Sequence, residues 1–269
     1  MKKFRGVFLF TIIASFILLG ATVVLLYFSA KRQQNDRYIT IDPETIQLVQ
    51  LEPPKDGDPI AIIDTTLGEL RIALYPDQSP DAVNNFTELA ESGWYDNTYI
   101  FDSMEGVYAS GGCKQKNGEL NERINDPHET IERELSQDLW PFRGAVCMIN
   151  TKKDSSFKNK LLGGGQYYNG SCFMFVDEVE LDDDSKQELL DASENKELGQ
   201  AFIERGGVPN LSQQMTIIGQ TYEGLDVIDA LTSLETENNG KYLVPKEDIM
   251  IKSVKIDTYS AEESSNNKQ

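Results

Sequence analysis

The side chains of this 269-residue sequence that most often do chemistry are a single histidine, three cysteines and a run of acids, and their spacing decides what they can do. His128 has no positioned partner along the chain, so it reads as a solvent-exposed loop residue. That disfavours a hydrolase built on Cys172 or a serine, because nucleophile and base must lie within hydrogen-bond reach. Cys113, Cys147 and Cys172 have neither metal-ligand spacing nor the even count of a disulfide framework, and they read as small buried apolar residues. Asp177, Glu178, Glu180 and Asp182 to Asp184 lack the glycine and terminal glutamate of a calcium loop, which leaves solvated charge at a helix N-terminus. Gly163-Gly164-Gly165 is not followed by Lys-Ser/Thr, so it is a flexible loop and not a phosphate cradle. No metal and no cofactor are expected.

The elements that would position a site are short. Ile60 to Leu74 is two apolar runs around a glycine-containing turn, and in the second Leu70, Ile72 and Leu74 alternate with Glu69, Arg71 and Ala73, which predicts a hairpin with a half-buried strand. Ser79-Pro80 starts a helix, serine as cap and proline at the first helical position, with Val83, Phe86, Leu89 and Ala90 on one face until Gly93. Further short apolar runs are Gly144 to Ile149, Phe173 to Val176, Thr216 to Gly219 and Ile249 to Ile256. Leu225, Ile228 and Leu231 form a second amphipathic helix. Residues 177–207 read as a helical insertion, with Ser185-x-x-Glu188 as a capping box and Leu189, Leu190, Leu198, Phe202 and Ile203 as its apolar side. Many strands with two helices predict a mostly β fold, a closed antiparallel barrel capped at its ends.

Residues 1–5 carry Lys2, Lys3 and Arg5, and residues 6–30 are uncharged and strongly apolar. That length spans a hydrocarbon core of roughly 30 Å at about 1.5 Å per residue. A cleaved signal has a shorter apolar region ending in a small-x-small site, whereas Lys31 and Arg32 follow directly here. The expectation is an uncleaved membrane anchor, with basic residues on both flanks and the longer acidic part outside the cell. Residues 31–58 form a proline-containing stalk whose apolar stretch Ile46 to Leu51 would add a strand to the domain edge. Residues 59–258 form one domain, and 259–269 a disordered tail. A net charge of −19 and a pI near 4.4 argue against a nucleic-acid partner and for a soluble, self-repelling surface.

The run Tyr99-Ile100-Phe101-Asp102-Ser103-Met104, followed by Ser110-Gly111-Gly112, Arg143 to Asn150, Asn169-Gly170-Ser171-Cys172-Phe173 and Gly206-Gly207-Val208-Pro209-Asn210-Leu211, resembles the cyclophilin-type peptidyl-prolyl isomerases in order and spacing. Pro80 to Leu89, Gly93-Trp94-Tyr95 and Ile218 to Asp229 continue the resemblance over nearly the whole domain. The insertion is similar to that of Gram-positive bacterial members.

The resemblance implies a groove for X-Pro segments in protein folding, built from Phe101, Ser103, Val107, Tyr108, Ser110, Ile149, Asn150, Cys172, Phe173, Met174, Leu211 and Met215. It places the family's catalytic arginine at Ser103, with one residue missing before Ser110, and the family's rim tryptophan at Asn210. A serine hydroxyl cannot supply the forked, charged donors of a guanidinium, so activity is expected to be weak or lost, with Lys114, Lys116 and Arg133 as candidate substitute cations. The alternatives are a non-catalytic proline-peptide-binding or chaperone module and a scaffold. For Met174, Met215, Phe173 and Leu211, ordinary barrel core is the competing reading.

Overall fold

The computed structural model describes residues 38–119, 131–153 and 166–262. The chain divides into two compact units, Ile39–Thr151 with Tyr168–Gln269, and Met1–Tyr38 with Lys152–Tyr167; the sheet core, the helices and the site belong to the first. The apolar span 6–30, His128, the glycine triplet and residues 263–269 lie outside the described residues. Among the described residues no helix is long and apolar enough to cross a membrane.

The expected hairpin is β1 (Pro59–Thr65) and β2 (Glu69–Leu74), with Ile60 opposite Ala73. Helix α1 (Pro80–Glu91) follows, then β3 (Thr98–Tyr99), β4 (Asp102–Met104), β5 (Tyr108–Gly111), β6 (Ile131–Glu132), β7 (Ala145–Lys153) and β8 (Gln166–Val176). The insertion is α2 (Asp183–Ala192) and α3 (Lys196–Arg205); after it come β9 (Thr216–Glu223), α4 (Leu225–Thr232), a small hairpin of β10 (Thr236–Asn238) and β11 (Leu243–Pro245), and β12 (Met250–Thr258).

The main sheet runs β3-β12-β1-β2-β9-β7-β8-β5-β4, with β6 attached to β8. It is a curled, mostly β architecture in which the ladder keeps two ends, β3 and β4, where the sequence predicts closure. The chain changes partner between those ends within two residues: Ile100 N donates to Ile249 O on the β12 side, and Phe101 N to Ser110 O on β5. An isolated bridge from Tyr99 to Cys113 spans the gap.

Side chains on the inner face of the sheet meet α1 and α4. Ile63, Leu70, Ile72, Val146, Met148, Phe173, Phe175 and Ile218 form one cluster with Val83 and Phe86 of α1 and Val227, Ile228 and Leu231 of α4. Helix α1 begins at the proline as predicted, but Ser79 does not cap it. Its hydroxyl donates to Ile217 O at 2.9 Å, and the amides of Asp81 and Ala82 donate to the Glu134 carboxylate at 3.3 and 2.7 Å. A carboxylate there also suits the positive end of the helix. Helix α2 is capped by Asp182, which accepts from Ser185 N at 2.8 Å, so Ser185 sits inside the helix and the predicted capping box does not form.

The stretch before β1 is neither an edge strand nor a free stalk. Ile41, Ile46, Leu48 and Leu51 pack on Trp140, Phe142, Leu198, Ala201 and Phe202, with a 3-10 turn at Val49–Leu51. The cause is the apolar stripe of α3, which a two-helix insertion leaves uncovered. Gln50, 6% exposed, fastens this strap: its Nε2 donates to Trp140 O and to Gln220 Oε1 at 2.9 Å each, and its Oε1 accepts from Trp140 N at 2.6 Å. Gln50→Ala would strand a buried amide and carbonyl, each costing about 1–3 kcal/mol. Urea denaturation of the full chain should show at least about 2 kcal/mol of lost stability.

Candidate functional site

Alternation along β8 sorts the site. Phe173 and Phe175 point inward with Tyr95 and Phe86, while Cys172, Met174 and Val176 point to the opposite face. Strand β5 copies this register, Ser110 opposite Met174 and Ala109 opposite Phe175. Strand β4 copies β5, Asp102 opposite Ser110 and Ser103 opposite Ala109. Because side chains alternate with period two, Asp102, Ser110, Met174 and Cys172 share one face, and Ser103 shares the other with Ala109 and Phe173.

Two of the predicted site residues therefore belong to the core. Ser103 is 2% exposed, and its hydroxyl donates to Leu231 O of α4 at 2.8 Å, with Thr232 O at 3.4 Å. Phe173 has no exposure and lies edge-on to Phe86 and Tyr95, with centroids at 5.6 and 5.3 Å. The competing reading of barrel core holds for Phe173 and for Met174, 4% exposed within its own buried cluster. The resemblance puts the catalytic arginine at Ser103, and the rung opposite Ser110 belongs to Asp102.

The remaining predicted residues gather in two neighbouring groups. Met174 packs with Cys147, Val176, Val208 and Ile217, and partly exposed Val107, Tyr108, Leu211 and Met215 close over them. Phe101 and Cys172 pack with Cys113, Ile149 and Tyr242, beside a cavity of about 80 Å³ lined also by Thr151, Tyr168 and Lys241. Asn150 Nδ2 donates to Gln214 O at 2.9 Å, and Arg133 Nη1 donates to the same carbonyl at 3.1 Å. Lys114 and Lys116 are engaged elsewhere, Lys114 with Asp96 O and the Trp94 ring, Lys116 with Asp248 and Lys246 O. Asn210 is exposed.

Sequence reasoning missed Asp102 and the β10–β11 hairpin as parts of the site. Asp102, 7% exposed, accepts from Tyr108 Oη at 3.0 Å and from Leu243 N of the hairpin at 2.8 Å. Burial raises its carboxyl above the usual range, against the pull of those two donors. Tyr108 is pushed up to about 12, first by burial and then by the Asp102 charge. Tyr242 lies edge-on to Phe101 at 5.1 Å, and Lys241 Nζ stands 4.6 Å over the Tyr242 ring. The only signal available for the hairpin was Leu243-Val244 beyond a polar Asn-Asn-Gly turn. The arrangement offers apolar walls, one carboxylate and a carbonyl already ringed by donors. It can hold an extended segment, and it lacks a nucleophile paired with a base.

Residues 60–168 match the family described as cyclophilin type peptidyl-prolyl cis-trans isomerase/CLD. A Streptococcus pyogenes protein named as a bifunctional phosphatase/peptidyl-prolyl cis-trans isomerase is 29% identical over 218 residues, 80% of this chain and 42% of that one. The chain thus spans less than half of that relative. A Staphylococcus saprophyticus protein named as a peptidyl-prolyl cis-trans isomerase is 28% identical over 208 residues, covering 77% of this chain and 96% of that one. In fold, the chain is similar to a Cryptosporidium parvum cyclophilin type isomerase crystallised in the presence of the dipeptide Ala-Pro, with TM-score 0.52, 22% identity and coverage of 74% and 99%.

The raised Asp102 carboxyl makes a signed prediction. Its charge opposes folding above the raised pKa, and that penalty is absent below the ordinary carboxylate value. Asp102→Asn keeps an acceptor for Leu243 N while removing the charge. It should melt at or above wild type near pH 7, and the difference should shrink as pH falls into the carboxylate range, as followed by circular dichroism.

Proposed function

The chain carries a cyclophilin-type peptidyl-prolyl isomerase domain, and from that premise we propose that it is a membrane-anchored, extracytoplasmic folding factor that holds proline-containing segments and turns them over weakly or not at all. Rotation about an X-Pro bond meets a barrier of roughly 20 kcal/mol because the C–N bond is partly double. In the resemblance drawn above, an arginine lowers it by donating near the proline nitrogen. The observation that carries the proposal lies on β4: Ser103 turns its hydroxyl into α4, and Asp102 presents a carboxylate on the site face. Neither supplies a charged donor, and each factor of ten in rate follows from about 1.4 kcal/mol of transition-state stabilisation.

Binding is better supported than turnover. Burial of a proline ring draws on apolar area at about 25 cal/mol per Å², and partly exposed Val107, Tyr108, Leu211 and Met215 still offer such a wall. Asn150 lies on β7 two positions past its last pairing with β9, Met148 opposite Thr216, where an extended peptide could pair. The anchor is the uncharged stretch 6–30, and the clients are proline-containing segments of other proteins near the membrane.

Exchange NMR on an Ala-Pro peptide with the full chain in detergent should show little or no line broadening from catalysed isomerisation. A rate matching an arginine-bearing cyclophilin would overturn the weak-activity reading and turn attention to Arg133. For topology, protease added to wall-stripped intact cells should remove the acidic domain; full protection would place it inside.

A further inference from the structure

On the site face Asp102 has only neutral hydrogen-bond partners among the described residues. Tyr108 Oη and Leu243 N donate to it, and among the described residues no lysine or arginine pairs with it. A largely buried carboxylate without a countercharge is costly to keep. Two neutral donors leave further lone-pair positions open on its oxygens. Asp102 is only 7% exposed, so a cation reaching it would meet its partner in a low-dielectric setting, where a charge-assisted hydrogen bond is strong. The chain's net charge of −19 draws cationic ligands towards the surface in addition.

Building on the peptide-binding reading, we infer that the site selects segments carrying a lysine or arginine next to the proline, with Asp102 as the countercharge and Tyr108 as the positioning residue that holds the carboxylate towards the ligand. The same carboxylate rejects acidic neighbours, since two like charges would share a poorly solvated site. Specificity thus resides on β4 at Asp102, one position before the serine to which the resemblance gives the catalytic arginine.

The test uses the full chain in detergent and fluorescein-labelled peptides that differ only at the residue before or after a single proline: lysine, acetyl-lysine, alanine or glutamate. Fluorescence anisotropy should show the lysine peptide bound about tenfold more tightly than the alanine peptide, a gap of about 1.4 kcal/mol, with glutamate weakest and acetyl-lysine close to alanine. In Asp102→Asn, and in Asp102→Ser as a second neutral variant, the lysine-to-alanine ratio should fall towards one while the melting transition is retained. Equal affinities for lysine, alanine and glutamate in the wild type overturn the inference and leave peptide binding standing. A lysine preference that survives in both variants also overturns it, and assigns the preference to the field of the whole acidic surface. Binding of none of the peptides overturns the inference together with the reading beneath it.

Discussion

Tyr95 has no exposure, and its hydroxyl donates to Ser171 O at 3.0 Å. A buried hydroxyl without such a partner costs several kcal/mol in an apolar setting, so this bond fixes where β8 lies against α1. Phe173 and Phe175 then stack into the same aromatic group, with centroids 5.4 Å apart. Slipping β8 by one residue would break the Tyr95 bond and exchange the phenylalanines with Cys172 and Met174. The register of β8 sets that of β5, and β5 sets β4. Which side chain of β4 faces outward is therefore decided two strands away, by one tyrosine.

Much of this was legible in the chain because the responsible signals are local. The β1–β2 hairpin follows from the alternation of Leu70, Ile72 and Leu74, and α1 from Ser79-Pro80 and the spacing of Val83, Phe86 and Ala90. The motifs from Tyr99 to Asp229 point to the same family whose model matches residues 60–168. The features that were not legible depend on distant partners. Three residues of β4 carry no period from which to tell Asp102 from Ser103, and only pairing with Ser110 resolves them. The Ile46 to Leu51 run looks like a strand because α3, the surface that covers it, lies about 150 residues further on. Glu134 replaces Ser79 as the cap of α1 from across the fold, and Asp182 replaces Ser185 because the nearer serine already lies within the helix.

The site face also shows how stability and function separate across one sheet. On the inner side every large side chain is buried among others like it, so substitutions there act through cavities and packing. On the outer side Met174 is 4% exposed and methionine and valine neighbours form a surface that adapts to different shapes. The carboxylate on this face is Asp102, held by the β10–β11 hairpin through the Leu243 amide. That hairpin thus belongs to the site even though it joins no strand of the main sheet.

The strap fastened by Gln50 changes the length of the leash. Among the described residues the chain packs against the domain from Ile41 onward, eleven positions beyond Ala30, where the proposed anchor would end. Fully stretched, eleven residues reach no more than roughly 36–40 Å, whereas a free stalk to Pro59 would allow about 100 Å. Were that anchor to hold the chain, the domain could move only within this reach of the bilayer. Its effective concentration would then be high for polypeptides emerging from the membrane and negligible for those that have diffused away.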